Sequence, residues 1–597
     1  MYLYKLRIEN FKRLKKIEVK FGETSFIIGE NNSGKSSVLQ AIEQLLSGEK
    51  KLADEYFHSE LESESKVSIE AEFRNLPIDS LNWRGFKGRI LNYSIEDDSN
   101  ETGLYCIYRK TFEKGKDFIS EMYAHNRILK EKFSSFKTVR EFIDNGVSEE
   151  LFNQVGLQSF EKTLNKSDRE KLELINDIWE IDSTNEPEWF ANPGGIAANV
   201  LSKLPKYILV PAHASSEELS AQKGALHATL NELFVDVRSK SENFKEAQKY
   251  LTLLAEEFDP DNSKSELGGM ISELNGILSG VFPESKLHVS ANLSEPDDVI
   301  KPKFDVEMSS NVRTKIEHQG TGMIRSAVFG MLRYREQQQL RNMRPLIIGF
   351  EEPELYLHPN AANQMKNALY DLSSSSLQII STTHSPYFVD LSRNLTTQVI
   401  NSFSKASTGE IVNIAFNLTS EFKKIQEDDK AHLKMLLSID DRVARVFFVQ
   451  NVVIVEGNTE EVVLKESLKL LKENISKKSI YDEIIANFEI VNARGKATII
   501  GLVKYLTAMG IQPIVIHDRD DGVKGAEIFN TPIAVALNGS GRIIQVEKEI
   551  EHILGYKASL SEKPYRAFKK MQEYQKWENL PEDLVELLKD IFKGYLD

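Results

Sequence analysis

The sequence predicts an α/β chain: one parallel-sheet domain, interrupted by a long helical insertion, followed by a second and smaller parallel-sheet domain. Three observations carry this. The apolar strand Phe26-Ile27-Ile28 runs directly into Gly29-Glu30-Asn31-Asn32-Ser33-Gly34-Lys35-Ser36 and then into the helical pattern Ser37-Val38-Leu39-Gln40-Ala41-Ile42. Two more apolar strands, 346–350 and 377–382, return far downstream, each followed at once by polar residues. From Asn451 through 535, strand and helix patterns alternate afresh, which indicates parallel pairing. With 597 residues the chain is too long for one core and suits about two to four domains.

Residues 4–28 alternate like two strands, with Leu6 and Ile8 on one face. Val67, Ile69, Ala71 and Phe73 alternate with polar residues, as in a half-buried strand, and Leu104–Tyr108 reads as its neighbour. Residues 125–200 are mostly helical in pattern, and Tyr207–Pro211 returns to the sheet. Between 215 and 280, Leu226, Leu230, Leu233 and Phe234, then Leu251, Leu253, Leu254 and Phe258, form apolar stripes on two helices. Asp259-Pro260-Asp261-Asn262-Ser263 reads as the turn between them. Both a dimerising arm and an ordinary helical subdomain fit this pattern. Strands are expected at Leu287–Ala291 and Lys303–Met308, and a charged, mostly helical connection at 420–446. The expected divisions are 1–214, 215–284 for the helical arm, 285–440, and 447–597 for the last domain.

Composition narrows the function. An apolar content of 41% is that of a globular chain, and no apolar run approaches the ~18 residues of a membrane span. The segment Met1–Lys5 lacks the apolar core of a signal peptide. A single cysteine, Cys106, excludes an intrachain disulfide and a cysteine-based zinc module, and fits a reducing, cytoplasmic setting. The net charge of −15 confines any nucleic-acid contact to a local basic groove, with Lys12, Arg13, Lys15 and Lys16, or Arg333, Arg335, Arg341 and Arg344, as candidates. Solvated charge on helices and turns is the simpler reading of either cluster alone.

The segment 29–36 has the pattern G-x-x-x-x-G-K-[ST] of a phosphate loop. Such a loop needs glycines that let backbone N–H groups approach phosphates, a lysine for the β/γ-phosphates and a hydroxyl for Mg²⁺. Gly29, Gly34, Lys35 and Ser36 meet these needs, and Asn31, Asn32 and Ser37 lie in the same turn. Strand 346–350 ends in Glu351 and Glu352, where a metal ligand and a water-polarising carboxylate of an ATP site belong. Thr383-His384-Ser385 follows the next strand and puts His384 where a γ-phosphate sensor sits.

Leu6-Arg7-Ile8-Glu9-Asn10-Phe11-Lys12, Asn31–Ser36, and Glu352-Pro353-Glu354 with His358-Pro359 resemble the ABC-type ATPases of the SMC and recombination-repair group. The resemblance implies ATP sandwiched between two heads, the signature segment of one completing the site of the other, and hence at least a dimer. The matching segment here is His318-Gln319-Gly320-Thr321-Gly322, before a helix beginning near Met323, with Gly320 and Gly322 as nucleotide contacts. It departs from the standard L-S-G-G-Q.

A second constellation lies beyond 450. Val452–Val455 ends in Glu456-Gly457, with Glu460 one helical turn on. Pro513–Ile516 ends in His517-Asp518-Arg519-Asp520, and in an extended strand end Asp518 and Asp520 point the same way. Four carboxylates at neighbouring strand ends repel one another unless a hard cation, Mg²⁺ or Mn²⁺, neutralises them. Two such ions can activate water and stabilise the leaving oxygen of a phosphodiester. These elements resemble a Toprim domain. A topoisomerase's separate tyrosine domain has no evident room in the chain, and a bacterial-type primase's zinc module cannot be built from one cysteine, which leaves hydrolysis.

An ABC-type ATPase followed by a Toprim domain resembles the OLD (overcoming lysogenization defect) family of nucleases, which includes the nuclease subunit of the Gabija antiphage system. This resemblance covers nearly the whole chain. It implies a further acidic motif, best matched by Glu547-Lys548-Glu549-Ile550-Glu551 with Glu549 and Glu551 favoured, and a late lysine that stabilises charge at the phosphate, best matched by Lys563 with Lys569 and Lys570 as alternatives. Catalytic roles then fall to Glu352, Glu456, Asp518 and Lys563, and metal ligation to Glu456, Glu460, Asp518, Asp520, Glu549 and Glu551. The expected cofactors are ATP and Mg²⁺ or Mn²⁺. The expected partners are DNA, further copies of the chain (a dimer or dimer of dimers) and a helicase or other defence-system protein, with no membrane. Two other readings stay open: an SMC-like ATP-dependent clamp that does not cut, and a nuclease directed at RNA.

Overall fold

The structure is a computed structural model, and it describes residues 1–58, 66–95, 101–125, 127–172, 175, 178–181, 186–193, 195, 197–212, 218, 221, 224–257, 265, 269–270, 272–273, 304, 306–309, 313–337, 344–355, 357–373, 377–393, 397–406, 408–520, 525–547, 549–557 and 561–596. The chain forms two compact units. One comprises Met1–Ala212 and Asn342–Asp597, the other His213–Arg341.

Three sheets organise the larger unit. The first has seven antiparallel strands, in the order Glu188–Ala191, Ile119–Ala124, Glu101–Phe112, Val67–Arg74, Tyr2–Phe11 and Leu14–Lys20, with Leu91–Ile95 also on Glu101–Phe112. Leu6 and Ile8 share its buried face as expected, and a register shift between Leu3 and Lys5 brings Leu3 onto that face too. Leu104–Tyr108 lies beside Val67–Arg74, with Cys106 opposite Phe73. The second sheet has six strands, in the order Lys206–Val210, Leu346–Glu351, Leu377–Thr382, Thr24–Gly29, Gln398–Lys405 and Ile411–Asn417. All but the last pair in parallel. Parallel pairing puts the ends of Thr24–Gly29, Leu346–Glu351 and Leu377–Thr382 on one edge, although these strands lie far apart in sequence.

The third sheet has four parallel strands, in the order Phe488–Asn492, Asn451–Val455, Ile514–Asp518 and Arg542–Val546. Val453, Val455, Ile514 and Ile516 enter a core completed by Leu464, Leu468, Leu588 and Phe592. The connection before it is helical, as expected: Leu418–Lys423, Glu427–Ile439 and a 3-10 turn at Asp441–Phe447. Helix Glu427–Ile439 packs against helix Lys496–Ala508 of the last domain. Gly501 allows that approach, since a Cβ there would stand 2.7 Å from the Asp429 carbonyl oxygen.

Residues 125–200 differ from the helical expectation. Among the described residues, the short helices Val139–Asp144, Glu149–Gln154, Lys166–Leu172 and Ala197–Leu201 share this range with the strands Arg127–Leu129, Trp179–Ile181 and Glu188–Ala191. Glu188–Ala191 is only four residues long, too short for a period to show, and tertiary contacts hold it: Trp189 packs on Tyr123 across the strand pair, under the Arg109 guanidinium.

In the smaller unit, helix Ala225–Lys240 packs against helix Thr321–Gln337, and helix Glu242–Glu257 follows. Leu226 is buried, and Leu230, Leu233 and Phe234 are half-buried. The strand expected at 303–308 is a short hairpin of Glu307–Ser309 with Arg313–Lys315. The arm was expected at 215–284; the smaller unit runs from His213 to Arg341. The strand expected at 287–291, the turn at 259–263 and Phe258 lie outside the described residues. Among the described residues no helix is long and apolar enough to cross a membrane.

Candidate functional site

The phosphate loop leaves the strand Thr24–Gly29 inside the parallel sheet and enters the helix Lys35–Leu46. Its glycines are dictated by space and by backbone. Gly29 has φ 141° and a Cβ there would lie 2.3 Å from the Phe403 carbonyl oxygen; Gly34 has φ 89° and a Cβ would lie 2.6 Å from Leu14 Cδ2. No side chain caps the helix start, so its first N–H groups are available to an anion. Asn31, Asn32 and Ser36 are exposed there, while Ser37 is buried in the first turn. Lys35 is buried, and its ammonium donates to the Gly29 oxygen at 2.9 Å and the Glu30 oxygen at 2.7 Å. Burial lowers its pKa, against the pull of Glu352 and Glu30.

Glu351 is the last residue of its strand, and its carboxylate accepts from the Ala212 N–H at 3.0 Å. Glu352 stands just past the strand with φ 43°, a left-handed conformation that is strained for a glutamate. Its carboxylate lies 3.4 Å from His384 Nε2. Burial and Lys35 lower the His384 pKa, with Glu352 opposing. The role of Glu354 was not evident from the sequence. Its Oε1 accepts from Thr383 Oγ1 at 2.6 Å and from the His384 N–H at 3.0 Å, so it clamps the loop that carries His384. His358 caps the helix Pro359–Leu372, accepting from the Asn360 N–H. Gly320 and Gly322 belong to the smaller unit. Gly320 is exposed with open space beyond it, and the helix starts at Thr321, slightly earlier than expected.

The clamp gives a prediction. Glu354→Gln keeps the size but weakens the two charge-assisted bonds, so ATP turnover falls about 10-fold while ATP affinity stays near wild type. Steady-state turnover beside equilibrium nucleotide binding checks it.

The second site sits at the carboxyl edge of the four-stranded sheet. Glu456 follows Asn451–Val455, and Asp518 ends the adjacent strand; the Asp518 N–H lies 3.4 Å from Glu456 Oε2. Glu460, 6% exposed, accepts from the Gly457 N–H at 2.9 Å, which fixes its carboxylate at the start of helix Asn458–Glu473. Glu551, 2% exposed, enters from the short helix after Arg542–Val546. Among the described residues, Asp518 Oδ1 and Glu551 Oε1 are buried with no hydrogen-bond partner. Burial first, then Glu460, Glu456, Asp520 and Glu551, push the Asp518 carboxyl up to about 8. Burial, with Glu460 and Asp520 and against Lys496, pushes Glu456 up to about 7. Glu460 is raised by burial and by Glu551.

Asp520 corrects the expected geometry. The strand ends at Asp518, and Asp520 has φ 51°, so a left-handed turn rather than strand alternation aims its side chain. Its Oδ2 accepts from Lys496 Nζ at 2.6 Å. Lys496 was absent from the sequence expectations, because a lone lysine at a helix start carries no signal. Glu549 pairs with Lys563 at 3.3 Å, and Glu547 is exposed. Burial acts against the Lys563 ammonium, but Glu549, Glu551 and Asp518 outweigh it and raise its pKa.

Orphaned buried carboxylate oxygens among mutually repelling acids are what a hard divalent cation satisfies, so the donor set fits Mg²⁺ or Mn²⁺. Among the described residues no three His, Cys, Asp or Glu side chains already close on one point. The acids are gathered rather than closed.

In the two basic clusters, Arg13, Lys15, Lys16 and Arg333 are exposed. Lys12 is bonded to Gln40, Lys15 to Glu410 and Lys16 to Glu9. Arg335 is buried, Arg344 holds the Leu201 and Leu204 carbonyls, and Arg341 lies outside the described residues.

Residues 1–389, well over half of the chain, match the AAA ATPase domain family. The chain belongs to that family. Beyond its AAA ATPase domain, residues 447–520 match the overcoming lysogenization defect protein-like TOPRIM domain, a span that holds Glu456, Glu460, Asp518 and Asp520. Three similar proteins have nuclease names. The Old nuclease of Escherichia phage P2 is 25% identical over 57% of this chain and 58% of its own length. The OLD nuclease of Thermus scotoductus is 25% identical over 36% of this chain and 42% of its own. Endonuclease GajA of Bacillus cereus is 23% identical over 78% of this chain and 70% of its own. The chain thus spans less than two thirds of the first two relatives. The expected resemblance to the OLD family holds, as does the fold class: an α/β ATPase followed by a TOPRIM domain.

Proposed function

We propose that this chain is an ATP-regulated, divalent-metal-dependent DNA endonuclease or nickase that acts against phage or other foreign DNA. The observation that carries the reading is the mutually repelling set Glu456, Glu460, Asp518 and Glu551, with Glu460 and Glu551 buried and Glu456 and Asp518 half-buried, in which Asp518 Oδ1 and Glu551 Oε1 have no hydrogen-bond partner among the described residues. A structural role does not account for such a set, because burying like charges without a counter-ion is destabilising. The nuclease names of the relatives and the TOPRIM match support the same reading.

Glu456, Glu460, Asp518, Asp520 and Glu551 would hold the metal, with Glu549 beside them. A bound Mg²⁺ or Mn²⁺ supplies water activation and charge stabilisation at the scissile phosphate. Lys563, 41% exposed and paired with Glu549, is placed to meet the charge that develops on the phosphate. At the other site Lys35, Ser36 and Glu351 would hold ATP and its metal. Glu352 would orient the attacking water and His384 would sense the γ-phosphate. Gly320 and Gly322 would complete the site of a second copy, which makes the protein a dimer or dimer of dimers. A helicase or another defence-system protein is the expected further partner.

A continuous path supports regulation. Gln398–Lys405 pairs with the phosphate-loop strand, Gly29 opposite Phe403. It pairs with Ile411–Asn417, which leads to the helices that pack on Lys496–Ala508, and the first residue of that helix holds Asp520. Lys504 pairs with Asp429, and Tyr505 Oη donates to the Leu418 carbonyl along that contact. ATP regulates cleavage only if it binds two arrangements of this path unequally.

The test is a substrate panel: supercoiled, linear and single-stranded DNA and RNA, with Mg²⁺ or Mn²⁺, with and without ATP. The expected result is metal-dependent nicking or linearisation of DNA with RNA intact. Cleavage of RNA alone would assign the RNA reading, and ATP-dependent retention of uncut DNA would assign the clamp.

A further inference from the structure

Lys496 is 5% exposed and begins the helix Lys496–Ala508, directly after Gly495, whose N–H donates to the Glu456 carbonyl oxygen at 2.8 Å. Its ammonium has two neutral or charged acceptors, Asp520 Oδ2 at 2.6 Å and Asn530 Oδ1 at 3.1 Å. Asn530 in turn donates to the Arg519 carbonyl at 2.6 Å, so the pair is held from the far side. The whole arrangement anchors the left-handed turn at Asp520. A fully desolvated ammonium is costly unless a partner needs it. Here it is bonded to Asp520 and interacts electrostatically with Glu456, two members of the acidic set.

We propose that Lys496 is a positioning residue and internal counter-ion of the carboxylate site: it fixes Asp520 and balances the site's charge when no metal is bound, and so competes with the metal for that carboxylate. The inference rests on the metal reading above. Lys563 does not duplicate the role, because it is partly exposed and paired with Glu549 rather than Asp520. An internal cation of this kind keeps the empty site folded and sets a lower metal affinity than the acids alone would give.

The test compares thermal unfolding of the full chain in EDTA and in saturating Mn²⁺, with Mn²⁺ binding measured by titration of the free-ion EPR signal. Lys496→Met should melt about 3–6 °C below the wild type in EDTA, since it strands a buried carboxylate. Saturating Mn²⁺ should close most of that gap, because the metal takes over the missing charge, and Mn²⁺ should bind about 3–10-fold more tightly. Lys496→Arg, which keeps the charge, should behave as wild type. Should Lys496→Met not fold, Lys496→Gln, which retains a donor, supplies the same comparison. A gap that Mn²⁺ leaves unchanged, or weaker Mn²⁺ binding, would make Lys496 merely structural and overturn the proposal. A wild type that Mn²⁺ neither binds nor stabilises would overturn the metal reading and this inference with it, so the two failures are distinguishable.

Discussion

Asp518→Asn is expected to reduce metal-dependent DNA cleavage by about 1,000-fold or more while making the metal-free protein more stable. Both effects come from one feature. Asp518 lies at a strand end among Glu456, Glu460, Asp520 and Glu551, with one oxygen buried and unpartnered among the described residues. As a ligand it is central; as a charge without metal it is repelled. Asparagine keeps the shape, removes the charge and cannot replace the ligand. The metal-free variant should gain about 1–3 kcal/mol, and Mn²⁺ should no longer raise its melting temperature. Unfolding in EDTA and in Mn²⁺, beside plasmid cleavage, reads both. A variant that loses stability in EDTA yet keeps cleavage would assign Asp518 a packing role.

Lys35→Ala should weaken ATP binding about 10–100-fold and abolish the response of cleavage to ATP, whichever sign that response has. The ammonium now bridges the Gly29 and Glu30 carbonyls, bonds that a phosphate would replace. Its loss removes the charge at the loop but not the backbone donors, which the positive-φ glycines arrange independently. Glu352→Gln should separate binding from turnover, with affinity kept and hydrolysis reduced about 100-fold or more. Nucleotide binding by calorimetry and plasmid cleavage with and without ATP check the pair. Unchanged ATP control in Lys35→Ala would mean that the nucleotide acts elsewhere.

What the sequence revealed follows from what is local. The phosphate loop is one continuous segment whose glycines are demanded by their own backbone, so it reads directly. Glu456 and Asp518 read as well, because apolar runs such as Val452–Val455 mark where strands end. Asp520 was legible as a residue but not in its geometry, since the left-handed turn at φ 51° replaces strand alternation. Lys496 was illegible. Its meaning lies in Asp520 and Asn530, contacts made only once the sheet and its helices are assembled. Glu354 stands in the Glu352-Pro353-Glu354 motif with no role legible there, because its two donors come from the next strand's loop. The partners of the basic clusters were illegible for a similar reason: Glu410 and the Leu204 carbonyl are distant in sequence.

The measurement that tests the central claim most directly is nicking of supercoiled plasmid by the purified chain in Mn²⁺, set against Asp518→Asn under the same conditions. The account predicts nicking or linearisation that needs the metal and is lost in the variant. Equal cleavage by the variant, or none by either protein at any metal or ATP concentration, would contradict it.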